Sequence, residues 1–300
     1  MSNICIIKAK QHIQDCVYVS DFEFTSGAKV PIYDVPNVPS LNQIIGYVKY
    51  INGDSGAVYY RGQSKLHPTM CPSLFHGLKS ARTRQKAQAS LNRQINRIKT
   101  DDDLCHEIHI DSKSDPIIIE AMLQHYGGKT KCLDVVDNHW IALWFGLNKY
   151  FNLARQEDRP YATYRTRATV PPYMPDDDEY QYLIMLCADR SHEMKQGVVY
   201  GECVTTVDLR YALPSTFIRP HAQHGLVLKK VSSGGDDTFD LADRVVAILR
   251  MRTDDVLKWI GNGTLLTQSS LFPAPPFDFG YDILLSRQKE LDLPIVWYVE

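Results

Sequence analysis

Three short segments of this 300-residue chain concentrate the side chains whose types and spacing could do chemistry. Tyr59-Tyr60-Arg61-Gly62-Gln63-Ser64 sets a guanidinium beside a glycine. Arginine offers a planar fork of donors matched to phosphate or carboxylate, and glycine lets the backbone come close to a ligand. Gln124-His125-Tyr126-Gly127-Gly128-Lys129-Thr130-Lys131-Cys132-Leu133-Asp134 packs amide, imidazole, phenol, amine and carboxylate into one short run. Such density in a turn suits a site better than a core. Arg219-Pro220-His221-Ala222-Gln223-His224-Gly225 again joins polar groups to a glycine. Each has a purely architectural alternative: Arg61 and Asp134 as a buried ion pair, His125 and Tyr126 as a satisfied helix terminus, Gln223 as a bracket on the backbone.

The elements that must hold these segments follow from periodicity and punctuation. Ile44, Ile45, Val48 and Ile51 recur at helical spacing until Gly53-Asp54, and Ala57 to Tyr60 then reads as a short strand delivering Arg61. Asp115-Pro116 is a capping carboxylate before proline at the first helical position, and the helix Ile117 to His125 runs until Gly127-Gly128. A second helix, Trp140 to Tyr150, is apolar nearly all round and belongs in the core, with Asp137 as its expected cap. Later come strands at Tyr182 to Ala188, Gly197 to Val207, Gly225 to Val231 and Val245 to Arg250. Thr253 is expected to cap a helix Asp254 to Ile260, and a last strand Ile295 to Val299 to close a sheet.

Helices early and strands late, without regular alternation, predict an α+β fold: a mixed or antiparallel sheet with helices packed against it. Residues 1–40, ending in the Pro36, Pro39 and Ser40 cluster, read as an N-terminal extension, 41–285 as the domain and 286–300 as a C-terminal segment. Arg155 to Gln181, with Pro171, Pro172, Pro175 and the acidic Asp176 to Glu179, has no sustained period and reads as an inserted excursion. Ser232 to Asp237 reads as an exposed loop.

Composition narrows the function classes. With 44% hydrophobic and 23% charged residues the chain is an ordinary globular one, and its net charge of −2 demands neither nucleic acid nor anionic membrane. No apolar run approaches the roughly eighteen residues of a span, so no membrane is expected and the cytoplasm is the default compartment. Seven cysteines scattered singly, without C-x-x-C or H-E-x-x-H, read as reduced thiols with no metal site. Cys132 as a nucleophile is set against the commoner fate of a buried cysteine. Neither G-x-G-x-x-G nor G-x-x-x-x-G-K-[ST] occurs. Between Gly77 and Thr100 seven Lys or Arg residues stand with no acid, while Leu91, Ile95 and Ile98 share one helical face. This basic amphipathic helix is either a solvated face or, through Arg93 and Arg97, a phosphate-tracking surface for nucleic acid.

Tyr60-Arg61-Gly62-Gln63 with Pro72-Ser73-Leu74-Phe75 resembles the motif that names FRG domains, and Gln124 to Asp134 followed by Ile141-Ala142-Leu143-Trp144-Phe145 is similar to that family's Q-H-Y-G-x-x-T-x-x-L-D segment and next helix. Arg219, Ala222, Gln223 and Gly225 resemble its R-x-x-A-Q-x-G element, and Ser270-Leu271-Phe272-Pro273 its S-L-F-P pattern. The chain departs from the family's Arg-Leu-Leu-Asp-Trp-Thr at Lys131, Cys132, Val135 and Val136, and from its acidic tail motif at Phe277 and Asp278.

The resemblance leaves function open, because one fold hosts many chemistries. The order of an arginine on an early strand, a later aromatic platform and a final polar residue is analogous to that of ADP-ribosyltransferases, which implies a split sheet and NAD as substrate. By that analogy Arg61, with Gly62 and Gln63, would bind the dinucleotide, Tyr126 would stack on nicotinamide, and Asp134 or Gln223 would hold the ribose as positive charge develops. His125 would orient the nucleophile or the ribose hydroxyls. Such a toxin or anti-phage effector would modify a nucleic acid or protein acceptor and be neutralised by an antitoxin or other protein partner. The rival readings are a nucleic-acid- or nucleotide-binding module without turnover and a toxin acting through protein contact alone.

Overall fold

The computed structural model describes residues 4–111, 113–153, 161–167, 179–190, 194–231 and 238–299. From the amino end, β1 (Val17–Glu23) and β2 (Lys29–Asp34) form a hairpin, and α1 (Val38–Ile51) leads to β3 (Val58–Gln63). Three helices follow, α2 (Ala81–Thr100), α3 (Asp102–Glu107) and α4 (Pro116–His125), before β4 (Leu133–Val136). Helix α5 (His139–Leu147) runs into β5 (Asn148–Asn152), followed by β6 (Tyr161–Thr166), β7 (Tyr180–Cys187), β8 (Val198–Tyr200), β9 (Val204–Asp208), β10 (Gly225–Lys230), β11 (Val245–Arg252) and β12 (Trp297–Tyr298).

Among the described residues, nine strands make one sheet in the order β1-β2-β11-β7-β3-β4-β10-β9-β8, and β12-β6-β5 make a smaller one. The large sheet is mixed: β2 and β11 run parallel, the other neighbours antiparallel. The fold is therefore α+β with a mixed sheet, as the sequence predicts.

The core explains why the central strands are apolar throughout. Leu183, Met185 and Cys187 of β7 pack with α1 and α5, while Ile184 and Leu186 pack on the other face with Leu226 and Ile248. A strand buried on both faces carries no polar alternation. Leu91, Ile95 and Ile98 of α2 pack with Ile118 and Met122 of α4 and Leu284 of the helix Phe279–Leu291. Local caps fit the starts: Ser80 accepts from Thr83 N, and Asp115 accepts from Ile117 N with Pro116 at the first position.

Several boundaries differ from expectation. The compact body begins before Leu41, since β2 pairs with β11 and Ile7 and Ile13 are buried; the Pro36, Pro39 and Ser40 cluster marks the passage from β2 into α1, not the edge of the domain. Helix α5 stops at Leu147 and is capped by Asn138, not Asp137, because the chain turns at Asn148 into β5. Asp137 instead pairs with Arg210 and His224. Gly197 to Val207 is a hairpin, β8 and β9, with a turn between. Thr253 is the first residue of its helix, with Arg252 before it. Part of the expected excursion is ordered: Tyr161–Thr166 is β6, sandwiched between β5 and β12. The proline-rich and acidic part of that excursion, up to residue 178, and the loop 232–237 lie outside the described residues. The C-terminal segment is not separate, since Phe279–Leu291 crosses its boundary and β12 joins β6. No helix among the described residues is long and apolar enough to cross a membrane.

Candidate functional site

The site forms where β3 and β4 part. They pair in register at Tyr60 with Val136. Beyond it the Arg61 side chain crosses the gap, donating from Nη1 to the Asp134 carbonyl oxygen at 2.7 Å in place of a ladder bond. Gly62 is bare because α5 lies against it: a Cβ there would stand 1.6 Å from the Ala142 carbonyl oxygen. Its requirement for glycine is thus explained by strand-to-helix packing, which corrects the expectation of a close approach by ligand.

The Asp134 carboxylate is fixed independently of Arg61. Gln124 Nε2 donates to its Oδ2 at 2.5 Å, and Gln124 Oε1 in turn accepts from Thr130 Oγ1 at 2.7 Å. This relay accounts for the Gln and Thr of the motif. Burial raises the Asp134 pKa above the usual carboxylate value, and the Arg61 charge opposes it. The structure thus replaces the simple Arg61–Asp134 ion pair by a guanidinium on the backbone carbonyl and an amide on the carboxylate.

His125 ends α4 with its ring over Gly225, where a Cβ would come within 2.7 Å of Cε1. Its Nε2 is buried without a hydrogen-bond partner. Burial first, then the Arg219 charge, push the imidazole from its ordinary 6.5 down to about 3, so it is neutral at physiological pH. A group with a depressed folded pKa contributes stability that is present above the unfolded value and lost as pH falls towards the folded one. Between pH 6.5 and about 3 the loss is expected to reach about 1.4 kcal/mol per unit. Denaturant titrations near neutrality and at about pH 5 should therefore show His125→Gln losing about 2 kcal/mol less than the wild type over that step.

These groups open into a cavity of about 330 Å³, at the small end of ligand pockets, which run from about 300 Å³ upward. Arg61, Gly62, Gln63, Gln124, His125, Asp134 and Gln223 all line it. Phe145, Tyr150, Tyr164, Phe272 and Tyr298 form an aromatic wall from α5, the smaller sheet and the S-L-F-P segment. Within it Tyr164 stacks on Phe272 with centroids 5.1 Å apart and lies nearly parallel to Tyr298 at 6.1 Å. Asp134 is the one acidic residue lining the cavity among the described residues. Besides His125 Nε2, Arg61 Nε and Gln63 Oε1 are buried and unpartnered. Buried polar groups are normally satisfied, so one donor, one acceptor and one group able to be either await partners here.

Tyr126 is not part of this surface. It is fully buried, its ring packed on Phe217, Tyr281 and the Arg219 guanidinium and its hydroxyl donating to Asp278 Oδ2 at 2.8 Å. The expected nicotinamide platform is corrected accordingly: following the helix C-terminus, the Tyr126 side chain turns inward to the core. Tyr126→Phe should cost about 1–2 kcal/mol of stability and leave ligand affinity in the cavity unchanged. Thermal melts beside a binding titration check both.

Gln223 is 5% exposed, and its Nε2 donates to the Leu271 carbonyl at 2.7 Å, bracketing the segment that carries Phe272. Arg219, fully buried, stacks its guanidinium on Tyr126, Tyr281, Tyr298 and Phe272 and so sets the back of the aromatic wall. Cys132 is buried, and burial pushes its thiol pKa well up, opposite to what a nucleophile needs. Arg93 and Arg97 lie on exposed α2, away from the cavity lining. Arg97 is engaged with Asp292 and the Leu291 carbonyl at the end of the helix Phe279–Leu291.

Sequence reasoning missed Tyr164, Tyr298 and Gln124 as site residues. Tyr164 fell within the segment read as an excursion, and only the pairing of β12 with β6 brings Tyr298 beside it. Gln124 was legible as motif but not as the carboxylate's partner. Among the described residues no group of three or more His, Cys, Asp or Glu is arranged to hold a metal ion.

No curated protein and no solved structure matches the chain. The matched family covers Arg61, Gln124, His125 and Asp134 but not the wall residues Tyr164, Phe272 and Tyr298. The chain carries an FRG domain: residues 56–154, from the strand bearing Arg61 through Asp134 and α5, match that family's model.

Proposed function

We propose that the cavity binds NAD and cleaves its nicotinamide–ribose bond, in the manner of an ADP-ribosyltransferase that marks a macromolecule. The observation that carries this reading is the Asp134 carboxylate, held by Gln124 at the gap between β3 and β4 and sharing its cavity with a stacked aromatic wall. A planar nicotinamide suits the wall, and a carboxylate suits the sugar next to it.

In the reaction the bond from C1′ to the nicotinamide nitrogen breaks, its electron pair leaving with nicotinamide. Positive charge spreads over C1′ and the ring oxygen, where Asp134 stabilises it. A lone pair of the acceptor then bonds to C1′, and the acceptor's proton passes to solvent. A neutral His125 with a pKa near 3 is too weak a base to take that proton at neutral pH, so its Nε2 orients a ribose hydroxyl instead. Arg61 Nε supplies a free donor to a phosphate or ribose oxygen. Such an activity fits a toxin or anti-phage effector kept in check by a protein partner.

The test is incubation of the purified protein with NAD labelled in the adenylate, with and without cell-extract fractions. Nicotinamide should be released and label should enter a protein or nucleic-acid fraction. Stoichiometric NAD binding with neither outcome would make the cavity a binding module.

A further inference from the structure

A second cleft, of about 660 Å³, shares no lining residue with the first. It opens between α2, the first turns of α4 and the strands β8, β9 and β10. At its base Glu120, 2% exposed, holds two lysines at once. Its Oε1 accepts from the Lys131 backbone N–H at 2.9 Å; its Oε2 accepts from Lys229 Nζ at 2.9 Å and faces Lys131 Nζ at 3.7 Å. Two ammonium groups thus share one carboxylate, leaving one positive charge over.

The other charges around the cleft are committed elsewhere. Lys230 is held by Asp243 and the Asp240 carbonyl. Asp115 caps α4 and receives the Tyr200 hydroxyl, and its carboxylate on the cleft wall offsets part of the surplus. The side chains of Lys131 and Lys229 are only 15% and 22% exposed, so water compensates the surplus poorly. Burial lowers the Lys131 pKa, Glu120 opposing it and the neighbouring Lys229 charge adding to it, whereas at Lys229 burial is outweighed by Glu120 and the pKa is raised. Asn92, Asn96 and Thr205 line the same cleft and can add neutral donors.

We propose that this cleft is a phosphate-binding site in which Lys131 and Lys229, braced by Glu120, take the oxyanion. A phosphate offers several acceptor oxygens to two point charges and to the amides beside them, and its negative charge cancels the surplus. Lys131 stands where the FRG pattern has arginine, so this chain would meet the phosphate with an ammonium point charge in place of a planar fork.

Titration of the full chain with inorganic phosphate, read by calorimetry and by thermal shift, tests the site independently of NAD chemistry. The wild type should bind saturably. Lys131→Gln keeps the Lys229–Glu120 pair and should weaken binding about tenfold with little change in its own melting temperature. Glu120→Gln keeps an acceptor for the Lys131 N–H and raises the surplus by one charge, so it should bind phosphate more tightly. A merely structural trio predicts no such gain. Competition by an oligonucleotide lacking terminal phosphates would support an internucleotide phosphate as the source, and its failure beside competition by a nucleoside monophosphate would support a terminal one. Absence of saturable binding, or unaltered affinity in Lys131→Gln, overturns the proposal.

Discussion

Asp134→Asn is expected to slow nicotinamide release by about 10²–10³-fold while changing NAD affinity little. A carboxylate facing a developing cation acts mainly in the transition state, so its loss appears in the rate constant rather than in ground-state binding. The asparagine side chain can still meet Gln124, so the relay from Thr130 keeps its geometry. The effect on stability has the opposite sign from that of a broken ion pair. Because burial raises the folded pKa of Asp134, its charged form is disfavoured in the folded state, and that cost is present above the folded pKa and relieved as pH falls below it. Near neutrality the variant should be as stable as the wild type or more so. The rate of the wild type should fall with acid at a pH above that of an ordinary aspartate, since the working form is the carboxylate. Destabilisation of Asp134→Asn by several kcal/mol, with unaltered kinetics among the folded molecules, would falsify the catalytic role.

Gly62→Ala is expected to be the most damaging single-methyl change near the cavity, at about 3 kcal/mol or more. The added Cβ would stand 1.6 Å from the Ala142 carbonyl oxygen and 2.8 Å from Gly146 N, both of them backbone atoms of α5 that no rotamer change can move. Relief requires β3 and α5 to separate, and α5 is the apolar helix on which Leu143 and Trp144 build the core. Denaturant midpoints of the folded fraction measure the loss. If Gly62 served only to admit ligand, the alanine variant would melt with the wild type and lose NAD affinity instead.

What was legible in the sequence follows from how local its cause is. The helix after Asp115-Pro116 and the strands around Leu183, Val227 and Ile248 are written in caps and apolar runs, and they stand where periodicity puts them. Arg61 and the Gln124 to Asp134 run could be singled out because polar side chains crowd at element ends. The direction in which each side chain points could not. Tyr126 and His125 are neighbours in sequence, yet one faces Asp278 in the core and the other the cavity. The aromatic wall was hidden for a topological reason: Phe145, Tyr164, Phe272 and Tyr298 come from four separate stretches and meet only because β12 pairs with β6 beside the end of α5. The partner of the Asp134 carboxylate was hidden as well, since opposite charge favours Arg61 and geometry selects Gln124.

The most direct measurement is a structure of the protein with NAD bound, using Asp134→Asn to slow turnover. The nicotinamide ring is expected against Tyr164, Phe272 and Tyr298, the ribose C1′ facing residue 134, and Arg61 Nε within hydrogen-bond reach of a ribose or phosphate oxygen. NAD bound elsewhere, or a cavity that stays empty when the ligand is saturating, would contradict it.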